Sequence, residues 1–140
     1  ELTLQARARA RQMLRQQLRP SDEELDIWFG CFMTEPKPWL KPIPPGRRTG
    51  AAKLRAGLRK GRALAWHPAV RVTWFSVRQA CHLFVDGKHH ALPERLTSFA
   101  ESLGESRELD TSRLSRLLAN PTVETLLLGW LDTGQLEWRR

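Results

Sequence analysis

Five of the nine prolines of this 140-residue chain fall within residues 36–50, PKPWLKPIPPGRRTG. Proline fixes φ and has no amide hydrogen to donate, so neither a helix nor an interior strand can run through such a stretch. It reads as an extended, polyproline-type linker. The chain is therefore expected to divide into a helical segment over 1–35, the proline-rich linker over 36–50, and a second unit over 51–140. The length suffices for one compact domain with an appendage, or for two small units. A first residue of Glu rather than Met suggests a processed chain or a fragment.

Two helices are expected before the linker. Residues 4–19 are rich in Ala and Leu, with Arg7, Arg11 and Arg15 four apart and Ala10, Leu14 and Leu18 sharing a face, in part with Met13. Pro20 ends this helix. Ser21-Asp22-Glu23-Glu24 has the form of a capping box, with acids where the helix dipole favours them. The second helix should span about 22–34. Leu25, Trp28, Phe29 and Phe32 follow an i, i+3, i+4, i+7 pattern, and Ile27 and Cys31 make the opposite side apolar as well. A short helix apolar on most of its surface needs partners all round. A dimer interface through Leu25, Trp28, Phe29, Phe32 and Met33 is the expectation.

After the linker, AAKLRAGLRKG (51–61) reads as a short basic amphipathic helix with Leu54 and Leu58 inward and Gly61 as its stop. RALAW, VRVTWFSV (70–77), ACHLFV (80–85) and KHHAL read as strands, with Asp86-Gly87 as a two-residue hairpin turn, giving a meander of three or four strands. A helix over 92–104 should begin at Pro93 and stop at Gly104. DTSRLSRLLAN (110–120) and the helix opened by Asn120-Pro121 form a helix-turn-helix pattern, and QLEW could close the sheet. The fold class is α+β: a helical dimerisation segment followed by a winged-helix-like domain with a small antiparallel sheet.

The net charge of +8 is unevenly spread. Residues 1–20 carry +4, residues 21–35 carry −5, and residues 36–79 hold eleven Lys or Arg and no acid. Residues 80–140 carry −2. The acidic block could face the Arg-rich segment. The basic block points to a polyanionic partner, with Arg47, Arg48, Lys53, Arg55, Arg59, Lys60 and Arg62 as candidate phosphate contacts. Trp66 and Trp74 could stack on bases, although core is their commoner place. Sequence-specific DNA reading is disfavoured, because TVETLLLGWL offers one Glu and no base where a recognition helix needs Arg, Lys, Asn or Gln.

No catalytic constellation is evident. There is no phosphate-binding loop, dinucleotide fingerprint or nucleophile elbow. None of His67, His82, His89 and His90 has an acid two residues later, as a non-haem iron site commonly does. His82, Asp86 and His89 are close in sequence, but strand alternation should scatter them over two faces and leave the histidines at the surface or in the hairpin. The acids at Asp22 and Asp26 read as helix-start residues. Cys31 and Cys81 read as reduced, buried thiols of a cytosolic protein. No apolar run is long enough for a membrane span, and the first residues lack a secretory signal.

The combination of Trp28-Phe29-Gly30, Phe32, Thr34-Glu35-Pro36-Lys37 and the ordering VRVTWF…LFVDGK…LP resembles the C-terminal part of the bacterial JmjC-type ribosomal oxygenases, the cupin-fold ribosomal protein arginine hydroxylases. The resemblance covers roughly 21–138. It implies a parent enzyme whose separate cupin binds Fe(II) and 2-oxoglutarate and hydroxylates an arginine of a ribosomal protein. It further implies a cytoplasmic homodimer with no membrane association. The cupin is absent from these residues, so no catalytic, cofactor or metal residue carries over. What carries over is a dimerisation helix at Leu25–Met33 and the winged-helix fold, with ribosomal RNA as a further partner for the basic block. The rival expectation is a stand-alone basic winged-helix nucleic-acid-binding protein.

Overall fold

The computed structural model describes residues 3–139. Glu1, Leu2 and Arg140, at the ends of the first and last expected regions, lie outside the described residues.

The two expected N-terminal helices are present. Helix α1 spans Leu4–Gln17 and is capped by Thr3, whose Oγ1 accepts from the Ala6 amide at 3.2 Å. Residues 3–16 are exposed throughout. Helix α2 spans Asp22–Met33. Its capping box is formed as read: Glu24 N–H donates to Ser21 Oγ at 3.2 Å, and Ser21 N–H donates to Glu24 Oε2 at 2.7 Å. Among the described residues no ion pair joins an arginine of α1 to an acid of α2.

Helix α3 (Ala51–Arg59) opens the second region, followed by β1 (Leu64–Trp66), β2 (Val72–Val77), β3 (Ala80–Val85) and β4 (Lys88–Pro93). Then come a 3-10 turn over Glu94–Leu96, α4 (Thr97–Glu105), β5 (Glu108–Leu109), α5 (Thr111–Leu117), α6 (Pro121–Asp132) and β6 (Leu136–Trp138). The fold is α+β, as the sequence indicated.

The described residues form two antiparallel sheets rather than one. The meander is β2-β3-β4, closed by an Asp86-Gly87 turn with φ of 48° and 76°, the positive pair that suits the strand twist. RALAW does not join it. That strand is β1, which lies between β5 and β6 in a second sheet. The expected helix over 92–104 also starts later. Pro93 stays extended, with ψ of 151°, and pairs with Ala80. As the last residue of an edge strand it gives up no ladder bond that the sheet needs.

One continuous core joins α3, α4, α5, α6 and both sheets through Leu54, Leu64, Leu83, Phe99, Leu127 and their neighbours. Trp66 lies inside it, edge-on to Trp130 at 5.2 Å and donating to Leu103 O at 2.9 Å. Trp74 packs against the same core. The Trp66 indole is not available as an open stacking platform for a base.

Strand β3 is buried on both faces. Cys81, Leu83 and Val85 point into the core. His82 and Phe84 alternate to the other face, where α2 covers them. This cover positions the surfaces described next.

Candidate interaction surfaces

Helix α2 has two different sides. Its inner side is fitted to the meander at Gly30, where a Cβ would overlap the Phe84 ring. One turn later Thr34 Oγ1 donates to Gly30 O at 2.9 Å and accepts from the Gly87 amide at 3.0 Å. One buried hydroxyl thus ends the helix and anchors it to the hairpin turn. Pro36 then passes beside Gly87.

The outer side carries Leu25, Trp28, Phe29, Phe32 and Met33, all between 47% and 61% exposed. Trp28 and Phe32 stack with centroids 5.4 Å apart. The structure gathers all five expected interface residues on one uncovered face. Phe29 and Met33 also wall a groove of about 600 Å³, whose far side is β2. Among the described residues strand β2 pairs only with β3, so its outer edge has no strand partner.

Four aromatic rings, those of Phe75, His82, Phe84 and His89, stack together under α2. His82 stacks on Phe75 at 4.8 Å, Phe84 on His89 at 5.2 Å, and His82 Nδ1 meets His89 Nε2 at 2.9 Å. Glu23 Oε1 lies 3.7 Å from His82 Nε2. Of the two places expected for the histidines, surface or hairpin, His82 takes the hairpin: it lies in β3 and is 4% exposed. The expected scatter over two faces fails for His82 and His89. The register pairs Phe84 with His89, so rings two residues apart on β3 meet the same side of β4. Asp86 is elsewhere, accepting from the Arg71 amide and from Gln135 Nε2. His90 turns to the opposite face, edge-on to Trp130, and His67 Nδ1 accepts from the Ala69 amide.

Burial, and then the adjacent His82, hold the His89 imidazole below the ordinary value of 6.5, against an opposing pull from Glu23. Burial, then His89 and Lys88, do the same at His90. The unfolded chain therefore takes up protons before the folded one does. Stability attached to these rings is complete above about pH 6.5 and is lost as the pH falls below it. Thermal melts should show a lower Tm at about pH 5.5 than at about pH 7.5, and His89→Gln should flatten the difference. A Tm independent of pH across that window would contradict the assignment.

The three groups do not build a metal centre. His89 meets one nitrogen of His82 and Glu23 faces the other, so they converge on no common point. Among the described residues no cluster of three ligating side chains could hold an ion. Both cysteines are free, and burial pushes the Cys81 thiol up against a smaller opposing effect of Thr97, which keeps it protonated and unreactive.

The basic block is divided in its duties. Arg55 forms a two-pronged pair with Glu124 of α6, Nε to Oε2 at 2.6 Å and Nη2 to Oε1 at 2.9 Å. Arg48 Nε lies 4.0 Å from Asp132, whose other oxygen accepts from the Thr49 amide. Arg62 covers the Trp138 ring at 4.8 Å. Arg47, Lys53, Arg59 and Lys60 are exposed, and none has an acid within ion-pair distance among the described residues. Glu124 and Asp132 are the only charged side chains of α6. The helix expected from the sequence to be the recognition helix therefore carries no basic side chain. Sequence alone missed the Arg55–Glu124 partnership, since 69 residues separate the two.

A family model described as a ROXA-like winged helix matches residues 13–137. No curated protein matches the sequence at a significant level. Among solved structures, YcfD, a ribosomal oxygenase from Escherichia coli, aligns over 100% of this chain and 37% of its own, with a TM-score of 0.73 and 16% identity. A second crystal structure of that ribosomal oxygenase gives a TM-score of 0.73 at 18% identity, covering 99% of this chain and 37% of its own. A third, in complex with cobalt and 2-oxoglutarate, matches at 16% identity with the same TM-score and coverages of 100% and 37%. At these identities the likeness is one of fold. The chain spans a little over a third of the length of the solved structures it matches. No helix among the described residues is long and apolar enough to cross a membrane.

Proposed function

Because this chain belongs to the ROXA-like winged-helix family, we propose that it is the dimerisation and winged-helix region of a 2-oxoglutarate- and Fe(II)-dependent ribosomal protein arginine hydroxylase. In this reading the catalytic cupin is another part of a longer, cytoplasmic protein. The present residues hold two copies together and leave the chemistry to the cupin. The ribosomal oxygenase neighbours support the enzyme class, and the cobalt and 2-oxoglutarate of one of them support its cofactors. A stand-alone DNA reader has less support, since α6 carries only acids as charged groups.

The observation that carries the dimer is the outer face of α2. Five large apolar side chains stand exposed on a helix whose inner side is already docked. A second copy would bury them about a two-fold axis. The Arg-rich, exposed α1 and the acidic first turn of α2 are complementary in charge, which suits a pairing of α1 from one copy with α2 from the other.

Sedimentation equilibrium tests it. The chain should self-associate, and Trp28→Asp or Phe32→Asp should each raise the dimer Kd about thirty-fold or more, the effect of removing one hot-spot aromatic. A monomeric wild-type chain would overturn the dimer. For the enzyme, mass spectrometry of ribosomal proteins treated with the full-length protein should show one oxygen added to an arginine, dependent on Fe(II) and 2-oxoglutarate. Unmodified ribosomal proteins would overturn that part.

A further inference from the structure

We propose that the outer face of α3 and the residues flanking it dock the phosphate backbone of RNA through Arg47, Lys53, Arg59 and Lys60, while Arg55 is a structural strut. The choice of RNA rests on the ribosomal reading above; the division of labour among the cations rests on the structure alone.

Helix α3 buries Leu54, Gly57 and Leu58 and turns its cations to solvent. Gly57 is the close-approach point, where a Cβ would overlap the Trp138 ring. The four proposed contacts lie in a segment that contains no acid between residues 36 and 79. The nearest acids of α6 are already engaged: Glu124 by Arg55, and Asp132 by Thr49 and Arg48. The field of the four is therefore not cancelled locally.

A cleft of about 490 Å³ opens between α3 and α5, lined by Arg55, Arg59, Ser115, Leu118 and Ala119. Its size admits a phosphate group, with Arg59 as a forked donor and Ser115 as a hydroxyl donor. Glu124 holds Arg55 in the wall of this cleft. No large apolar side chain stands exposed on α3, which argues against an anionic membrane surface, where such residues insert. With no base-reading side chain on α6, recognition is of the backbone and independent of sequence.

The test is fluorescence anisotropy of the full chain with a labelled RNA hairpin, duplex DNA of equal length, and vesicles containing phosphatidylserine, over a salt series. RNA should bind, with log K falling against log salt at a slope of about −3.6, four phosphate contacts at about −0.9 each. Arg47→Gln, Lys53→Gln, Arg59→Gln and Lys60→Gln should each reduce that slope by about one. The double variant Arg55→Ala/Glu124→Ala should lower Tm and leave the slope unchanged. Three results would overturn the proposal: no RNA binding, tighter binding to DNA or vesicles than to RNA, or a slope that survives the combined four substitutions. Loss of RNA binding by a chain that still dimerises would defeat this inference alone and leave the enzyme reading standing.

Discussion

Phe84→Ala should cost about 3–5 kcal/mol, the usual range for truncating a buried aromatic, and should loosen α2 before the rest of the fold. The Phe84 ring is fully buried. It stacks on Phe75 at 5.6 Å and on His89 at 5.2 Å, and its tip rests on Gly30. Removing it leaves a cavity between helix and sheet that the two imidazoles cannot fill. Global stability typically lies between about 5 and 15 kcal/mol, so such a loss is a large share of the total. Thermal melts should show it, and amide exchange across residues 22–34 should quicken by more than exchange in α6. Gly30→Leu approaches the same joint from the opposite side, since any Cβ there enters the Phe84 ring. It should displace α2 while the core around Leu127 and Phe99 stays protected. Equal loss of protection in α2 and α6 for both variants would mean that the helix and the winged-helix domain unfold as one unit.

That joint also shows what was legible in the sequence. The start of α2 was readable because a capping box is a local device: Ser21 and Glu24 are three residues apart and satisfy each other. The Asp86-Gly87 turn and the Asn120-Pro121 helix start were readable for the same reason. The orientation of α2 was harder, because the decisive residue is glycine. Gly30 adds nothing to an apolar pattern, yet the absence of its side chain lets Phe84 approach. The pattern of Leu25, Trp28, Phe29 and Phe32 marked an apolar stripe without saying whether the chain's own sheet covers it. Here the sheet takes the side of Ile27, Gly30, Cys31 and Thr34, and the stripe is left outside.

Long-range pairings were out of reach for a different reason. Strand β5 has two residues, too few to show alternation, and only its pairing with Leu64 and Ala65 makes it a strand. Surface and hairpin were both open to His82, and a polar ring in an amphipathic strand usually faces water. His82 is buried because α2, some fifty residues earlier in the chain, roofs the second face of β3. In the basic block, net charge was plain from composition. Which cations are free was not, since Glu124 and Asp132 reach α3 and its approach from the far end of the chain.

Gly134→Ala should be markedly more damaging than Gly61→Ala, although both glycines hold the same backbone conformation. Their φ values are 75° and 70°, and each follows a helix at the place where a left-handed residue ends it. An L-residue there costs about 1–2 kcal/mol. At Gly61 that is the whole cost, because nothing lies within 4 Å of a built Cβ. At Gly134 the Cβ would enter the backbone carbonyl of Ile43, and overpacking adds about 1–3 kcal/mol. A backbone neighbour cannot rotate away as a side chain can, so the proline-rich stretch must move. Its other ties are the Thr49 amide bond to Asp132 at 3.1 Å and the Arg48–Asp132 approach at 4.0 Å. Limited proteolysis after Arg47 or Arg48 should therefore quicken in Gly134→Ala and stay at the wild-type rate in Gly61→Ala. Equal melting temperatures and equal cleavage rates in the two variants would mean that the contact with Ile43 contributes nothing. The stretch would then behave as the free linker that its prolines suggest.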